Sequence, residues 1–276
     1  MSLTRKLTAV LRPVTTPRMR GYLGRLQTRM LSAMPAHRPS VAAVSDAGTA
    51  SPFDFPIDRR NLLEELGEKY LPTKRLHNYL PYYWLHFRDI RLDVKRVLEI
   101  GVETGRSLQM WEEFFPNAVV YGVDIRPECK NHEGGRRRVR IGDQSDPAFL
   151  RALVEEAGAF DVIIDDGSHR IDHQLASFGV LFPALTEHGI YVMEDTGGCV
   201  DDFGLRTVSS LKTLVDDIMY WPREYRGSWE GLSQFADDSP WTSRNVIGIA
   251  FYRWIVFVMR GRNPGDNPHL GRQAAG

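Results

Sequence analysis

The stretch Val97-Leu98-Glu99-Ile100-Gly101-Val102-Glu103-Thr104-Gly105 decides how the rest of the chain is interpreted. Its apolar beginning has the length of a buried β-strand, and two glycines separated by three residues follow directly. Glycine lets the backbone turn sharply and approach a ligand closely. A helix-like segment over 105–115 comes next. The stretch therefore predicts a strand, a tight loop that faces a ligand, and a helix.

The same alternation of apolar runs and helix-like segments continues downstream. Further strand-like runs lie at 119–124, 139–141, 161–165 and 190–194, with helix-like segments at 146–157, 171–185 and 206–219. Such alternation is typical of a parallel sheet with helices on both faces. Two β-rich runs, 245–250 and 254–259, predict a closing antiparallel hairpin. The fold class is thus α/β and Rossmann-like, with a mostly parallel seven-stranded sheet and a C-terminal antiparallel hairpin.

Charge divides the 276 residues into a basic beginning and an acidic remainder. Residues 1–38 hold eight Lys and Arg and no acidic residue, whereas the remainder holds 27 basic and 35 acidic side chains. An acidic body excludes nucleic acid as a partner, because phosphate contacts need clustered Lys and Arg. The basic beginning predicts at most a weak peripheral contact with an anionic membrane.

Composition also indicates how the chain is organised. We expect a basic flexible tail and linker over 1–52, a helical and aromatic cap over 53–95, a ligand-binding α/β domain over 96–262, and a disordered tail over 263–276. No apolar run approaches the ~20 residues of a membrane span. The beginning lacks the uninterrupted apolar core of a secretory signal. These features predict a cytoplasmic protein whose two cysteines are free thiols.

Polar residues at the ends of the first three strands indicate an adenosine cofactor. The glycine spacing differs from the G-x-G-x-x-G loop that holds a dinucleotide pyrophosphate, which favours S-adenosylmethionine (SAM). Glu99 is a candidate partner for the SAM ammonium, Asp124 for the ribose hydroxyls and Asp143 for the adenine amino group. The predicted cofactor-binding residues are Glu99, Gly101, Gly105, Ser107, Asp124, Asp143, Gln144 and Asp165.

Acidic residues also follow the fourth and fifth strands. The fourth ends in Asp165-Asp166-Gly167-Ser168-His169 and the fifth in Glu194-Asp195-Thr196. The carboxyl ends of parallel strands open onto one crevice, so these groups would repel one another unless a cation lies between them. Hard oxygen ligands favour Mg²⁺, Ca²⁺ or Mn²⁺ over zinc, and of these we expect Mg²⁺ or Mn²⁺. The alternative is that these acids cap the helices that follow them.

The motif D-D-G-S-H followed by E-D resembles the metal-dependent sugar O-methyltransferases of macrolide biosynthesis, of the mycinamicin and tylosin type. The resemblance extends from about Leu76 to Gly261 and includes Leu76-His77-Asn78-Tyr79-Leu80-Pro81 and Phe251-Tyr252-Arg253-Trp254-Ile255-Val256. It implies that residues 96–262 form a class I SAM-methyltransferase domain. It further implies the metal ligands Asp166, Glu194 and Asp195, with His169 as the catalytic base.

These observations predict a SAM- and Mg²⁺-dependent O-methyltransferase that acts on a hydroxyl of a sugar, a glycosylated natural product or a polysaccharide. A sugar hydroxyl is a very weak acid, so a cation and a histidine base would both help to remove its proton. Two alternatives stay open: a methyltransferase of the catechol or phenol type, and a non-catalytic SAM-fold binding protein. Self-association into a homo-oligomer is also a prediction.

Aromatic residues on either side of the sheet-forming region are candidates to stack on a sugar. They are Tyr79, Tyr82, Tyr83, Trp84, Trp221, Trp229 and Trp241. The alternative for each is ordinary packing in the core or in a lid.

Overall fold

The computed structural model describes residues 61–196, 207–219 and 240–263. Its helices are α1 (Leu62–Tyr70), α2 (Thr73–Leu76), α3 (Leu80–Phe87), α4 (Arg106–Phe114), α5 (Pro147–Ala157), α6 (Ile171–Leu181), α7 (Thr207–Leu211), α8 (Thr213–Ile218) and α9 (Trp241–Asn245), with 3-10 turns at Pro127–His132 and Phe182–Ala184. The predicted tail and linker over 1–52, all but the first residue of the tail predicted over 263–276, and Cys199, Trp221 and Trp229 lie outside the described residues.

One seven-stranded sheet organises the described chain. Its strands are β1 (Arg96–Ile100), β2 (Val119–Asp124), β3 (Arg137–Ile141), β4 (Phe160–Asp165), β5 (Leu185–Met193), β6 (Val246–Tyr252) and β7 (Ile255–Arg260). The spatial order is β3-β2-β1-β4-β5-β7-β6, parallel from β3 to β5, with β7 antiparallel to both neighbours. This confirms the predicted sheet and its closing hairpin. The order reverses between β1 and β4, the position where open α/β sheets bind ligands.

Strand β5 begins earlier than its apolar run predicts. It starts at Leu185, whereas the predicted run starts at Ile190. Its pairing with β4 shifts register between Phe160 and Val162, and His188 in the extra segment has a positive φ of 76°. The polar residues of this irregular stretch hide it from an apolar pattern. At its other end β5 stops at Met193, so Glu194 and Asp195 lie in the loop at the sheet edge.

Apolar side chains cover both faces of the sheet. Successive residues of a strand point to opposite faces, and accordingly Val97 belongs to one core cluster and Leu98 to the other. The Val97 cluster contains the N-terminal helices through Tyr83 and Phe87, together with Trp111 of α4. Burying each large apolar side chain contributes about 1.5–3 kcal/mol. This burial fixes α3 on the sheet next to its carboxyl edge.

Gly101 allows the loop after β1 to lie against the loop after β4. Its φ is +93°, which L-residues with a side chain rarely adopt. A Cβ atom at this position would lie 2.0 Å from the backbone oxygen of Asp166. The β1 loop and the first residue beyond β4 therefore meet only because residue 101 has no side chain.

In the described part of the chain, no helix is both long and apolar enough to cross a membrane.

Candidate active site

A cavity of about 530 Å³ opens at the carboxyl edge of the sheet. The loops after β1, β2, β3, β4 and β5 line it, and α2 closes one side with Thr73 and the adjacent Pro72 and His77. Small-molecule sites commonly have volumes of about 300–1,000 Å³. The cavity lies at the switch point of the strand order, where the topology predicts a ligand.

Asp124 organises the first half of the cavity. Its Oδ2 accepts hydrogen bonds from the backbone amides of Val102 and Glu103, both at 3.0 Å. Its Oδ1 accepts from the amide of Arg126 at 3.0 Å and from the guanidinium Nε of Arg126 at 3.2 Å. Burial would raise the pKa of Asp124, but Arg126 and the backbone amides hold that pKa well below its usual range. The carboxylate is therefore ionised and fixed at the end of β2.

Asp143 and Gln144 lie on the cavity wall as predicted. A hydrogen bond from the amide of Ser145, at 2.7 Å, lowers the pKa of Asp143. Gln144 joins two loops, since its Nε2 donates to Asp165 at 3.0 Å and its Oε1 accepts from the amide of Ser168 at 2.7 Å. Gly101 and Ser107 also line the cavity. These residues and Asp124 form one continuous wall, which we call the cofactor half.

The structure does not bring Glu99, Gly105 or Asp165 to the cavity wall. Glu99 is buried under the glycine loop, where it accepts from Ser107 Oγ at 2.7 Å and Trp111 Nε1 at 3.1 Å. Asp165 is likewise buried and accepts from Ser177, Gln144 and Tyr191. Burial raises the pKa of both carboxyl groups. Gly105 faces the side chain of His132. All three residues therefore lie behind the cavity wall, and their contact with a cofactor stays a prediction.

Asp166, His169 and Asp195 form the second half of the cavity, which we call the acidic half. A ligand atom of each lies within 4.8 Å of the others, the spacing of side chains that share one metal ion. His169 Nε2 is 3.5 Å from Asp195 Oδ2. His169 Nδ1 is buried and has no hydrogen-bond partner among the described residues. The topology thus brings the ends of β4 and β5 together as the sequence predicts.

Two residues of the acidic half have unusual backbone conformations. The φ of His169 is +56° and that of Asp195 is +53°, in the left-handed region that residues with a side chain seldom occupy. Such strain costs on the order of 1–3 kcal/mol and concentrates at functional sites. The alternative that the Asp165–Asp166 pair caps the next helix is wrong, because Arg170 is the N-cap of α6 and no side chain caps it.

Glu194 lies behind this group rather than within it. Its side chain is buried, and its Oε1 accepts from Lys74 Nζ at 2.6 Å and from the Tyr83 hydroxyl. Burial and the charge of Asp166 raise the pKa of Glu194, while Lys74 opposes that shift. The three-residue group at the cavity therefore contains His169 in place of the predicted Glu194.

Lys74 is the functional residue that the sequence analysis missed most completely. Its side chain is 1% exposed, and its ammonium lies 3.0 Å from Glu99, 2.6 Å from Glu194 and within hydrogen-bond distance of Asp166. An ammonium has three N–H donors, so these three carboxylates saturate it. Burial lowers the pKa of Lys74, but the surrounding negative charges outweigh burial and raise that pKa well above its usual value. The sequence places more carboxylates than cationic side chains at this edge of the sheet. That imbalance was the signal from which a neighbouring cationic side chain could have been predicted.

The described aromatic candidates for sugar stacking do not line the cavity. Tyr79 and Tyr83 are fully buried, and their hydroxyls donate to Asp195 and Glu194. Tyr82 stacks on Tyr252, with ring centroids 4.3 Å apart. Trp84 packs against Phe114, and Trp241 packs against Phe182. Tyr79 and Tyr83 are thus packed in the core, whereas Tyr82 and Trp84 are partly buried and Trp241 is exposed, so that stacking of these three on a sugar stays a prediction. His77, which the analysis did not assign, lines the cavity with its Nδ1 3.7 Å from Asp195 Oδ1.

Comparison with known proteins finds similar sequences and a similar structure. Residues 98–196 match the family model described as a methyltransferase domain. The chain is 36% identical over 225 residues to mycinamicin VI 2''-O-methyltransferase of Micromonospora griseorubida. This alignment covers 74% of this chain and 54% of the relative. It is also 36% identical over 204 residues to 8-demethyl-8-(2-methoxy-alpha-L-rhamnosyl)-tetracenomycin-C 3'-O-methyltransferase of Streptomyces olivaceus, covering 68% of this chain and 50% of that relative. The chain thus spans about half the length of these curated relatives.

A solved structure shares the fold. The MycE methyltransferase from the mycinamycin biosynthetic pathway, in complex with Mg, SAH and mycinamycin VI, superposes with a TM-score of 0.64 at 34% identity. The match covers 79% of this chain and 60% of that one. The seven-stranded sheet described above is therefore the sheet of a methyltransferase.

Proposed function

We propose that this chain, in which residues 98–196 are a methyltransferase domain, transfers the methyl group of SAM to a hydroxyl of a sugar on a glycosylated small molecule, with the help of a divalent cation. The observation that carries the proposal is the junction of two sites in one cavity. The cofactor half around Asp124 and the acidic half of Asp166, His169 and Asp195 line the same space.

The cofactor half fits SAM. Asp124 stands at the end of β2 as an ionised acceptor beside the glycine loop, where it can accept hydrogen bonds from ribose hydroxyls. Gly101 lines the cavity and lets the glycine loop lie against the loop after β4, so that both loops border the cofactor space. Asp143 and Gln144, further along the wall, are the proposed partners of the adenine. SAM would supply the methyl group at its sulfonium.

The acidic half fits a divalent cation. The carboxylates of Asp166 and Asp195 lie within 4.8 Å of one another, and oxygen donors of this kind suit Mg²⁺ or Mn²⁺; the imidazole of His169 lies at the same distance beside them. Glu194, the third ligand that the resemblance implies, stays a proposal, since Lys74 and Tyr83 hold one of its oxygens. A cation held here would act as a Lewis acid that lowers the pKa of an acceptor hydroxyl.

His169 is the proposed base. Its Nε2 points toward Asp195, and its Nδ1 is buried, so only Nε2 is placed to take the acceptor proton. Imidazole titrates near neutral pH, which suits general-base catalysis. Methyl transfer also requires the acceptor oxygen to lie in line with the sulfonium. His77, on the other side of Asp195, is placed to contact a neighbouring acceptor hydroxyl.

The acceptor class follows from the base and from the relatives. A phenol ionises more readily than a sugar hydroxyl and needs less help from a histidine, so His169 favours a sugar over a catechol. Both relatives described above bear names of enzymes that methylate glycosylated natural products. The presence of all the site residues argues against a non-catalytic SAM-binding protein. Cytoplasmic location, self-association and weak membrane contact stay predictions.

A methyl-transfer assay tests the proposal. Labelled SAM is incubated with a panel of macrolide, anthracycline-type and simple deoxysugar glycosides, and with catechol as the competing acceptor. We expect transfer to glycosides that EDTA abolishes and Mg²⁺ restores. Full activity in EDTA after removal of bound metal would contradict the role of the cation. Transfer to catechol alone would show that the acceptor is a phenol and not a sugar.

A further inference from the structure

We propose that Tyr79 is a positioning residue that orients Asp195 toward the cation site, and that Tyr83 does the same more weakly for Glu194. Tyr79 is the N-cap residue of α3, and Tyr83 lies four residues later on that helix. Residues four apart lie on one face of a helix. Both tyrosines therefore point from α3 at the acidic pair that follows β5.

The contacts fix one oxygen of each acid. The Tyr79 hydroxyl donates to Asp195 Oδ1 at 2.6 Å, and Tyr79 itself is fully buried. The other oxygen, Asp195 Oδ2, lies 3.5 Å from His169 Nε2 on the cavity side. Among the described residues, no other hydrogen-bond donor to the Asp195 carboxylate is found. Within the described parts of the chain, the Tyr79 phenol is thus the group that limits rotation of that carboxylate.

Glu194 also accepts a hydrogen bond from a tyrosine, but it has a lysine as a second donor. Its Oε1 accepts from Tyr83 and also from Lys74 at 2.6 Å. Removing the Tyr83 hydroxyl would leave the ammonium in place, whereas removing the Tyr79 hydroxyl would leave Asp195 without a described donor. The expected effect is therefore larger at Tyr79.

Groups that hydrogen-bond to metal ligands fix their orientation, and their loss commonly reduces metal affinity about 10–100-fold. The inference rests on the proposed function, because it assumes that a cation binds at Asp166 and Asp195. The N-terminal cap would then orient a metal ligand through the Tyr79 hydroxyl, in addition to packing on the sheet. A phenylalanine would fill the same apolar space without the hydroxyl.

The test compares Tyr79→Phe, Tyr83→Phe and the matched control Tyr82→Phe. Tyr82 is on the same helix, but it stacks on Tyr252 and contacts neither acid. Calorimetric titration with Mn²⁺ and Mg²⁺ gives the metal Kd, titration with SAH gives the cofactor Kd, and thermal unfolding of the metal-free protein gives the Tm. We expect Mg²⁺ affinity to fall about 10–100-fold in Tyr79→Phe, less in Tyr83→Phe, and not in Tyr82→Phe, with SAH affinity equal in all.

The outcomes separate the inference from the proposed function. If the wild-type protein binds neither Mn²⁺ nor Mg²⁺, the metal part of the proposed function fails, and this inference with it. If the wild type binds metal and Tyr79→Phe binds it equally well, the inference alone is overturned. A parallel loss of metal binding, SAH binding and Tm in Tyr79→Phe would show a merely structural role and also overturn it. Should Tyr79→Phe fail to fold, the difference between Tyr83→Phe and Tyr82→Phe in metal Kd decides: equal values overturn the inference.

Discussion

The two halves of the cavity are built by different means. Asp124 of the cofactor half is held mainly by backbone amides, from residues 21 and 22 positions earlier and two positions later. The acids of the acidic half are held by side chains: Lys74 lies 92 residues from Asp166 and Tyr79 lies 116 residues from Asp195. One half is therefore organised within the unit formed by the neighbouring strands β1 and β2, and the other depends on how the N-terminal cap packs. Substitutions in the cap should disturb the acidic half and spare the cofactor half.

The largest expected effect is on the reaction itself. His169→Ala should lower kcat about 10²–10⁴-fold, the usual contribution of a positioned base, and should leave SAH affinity unchanged. Steady-state kinetics and calorimetry measure the two quantities. His188→Ala is a matched control, because His188 also has a positive φ, of 76°, but lies outside the cavity. A near-normal kcat in His169→Ala would show that His169 is not the base. Loss of metal binding in this variant would show that His169 is a metal ligand.

Lys74→Met should produce the largest loss of stability. It leaves Glu99, Glu194 and Asp166 without their shared cation, and breaking a buried ion pair typically costs about 3–5 kcal/mol. Urea unfolding at neutral pH measures that loss. The control is Lys69→Met, since Lys69 pairs with Glu113 on the surface with side chains 55% and 43% exposed, and such exposed pairs contribute little to stability. Equal losses in the two variants would contradict the role of Lys74.

The stability of Lys74→Met should also depend on pH in a defined direction. Burial already raises the pKa of Glu99 and Glu194 in the native protein, and loss of the ammonium removes the charge that opposes this. A folded pKa above the unfolded value means that the folded state binds more protons between the two pKa values. The variant should therefore gain stability as the pH falls toward the unfolded pKa and lose it as the pH rises. Urea unfolding between pH 5 and pH 8 checks the sign.

Asp124→Ala should have a smaller effect, confined to the cofactor half. It removes the acceptor that ribose hydroxyls would use and leaves the amides of Val102 and Glu103 unpaired, a change worth about 1–3 kcal/mol of SAH binding. Mg²⁺ affinity should not change. Asp89→Ala, a substitution of an exposed aspartate far from the cavity lining, controls for the lost charge. Unchanged SAH affinity would show that Asp124 does not bind the ribose. Loss of Mg²⁺ binding would show that the cofactor half and the acidic half are not independent.

The same difference explains what the sequence could and could not predict. The strands were predictable because each contains a short apolar run, although the polar first part of β5 was missed. Asp124, Asp166 and Asp195 were predictable because they end or follow those runs at one sheet edge. Lys74, Tyr79 and Tyr83 were not, because their contacts depend on how α2 and α3 pack more than 90 residues away in the chain. Glu99 and Asp165 carry the right chemistry at the right edge, but burial directs them inward, and no periodicity reveals that.

The most direct test of the account is a crystal structure of the protein with Mn²⁺ and SAH, measured at a wavelength where manganese scatters anomalously. We expect one anomalous peak, with carboxylate oxygens of Asp166 and Asp195 at about 2.0–2.1 Å from it, the distance typical of Mg²⁺-type coordination. We also expect the SAH ribose on Asp124, in the same cavity. A peak at another place, or SAH bound in a separate pocket, would contradict the claim that the two halves form one active site.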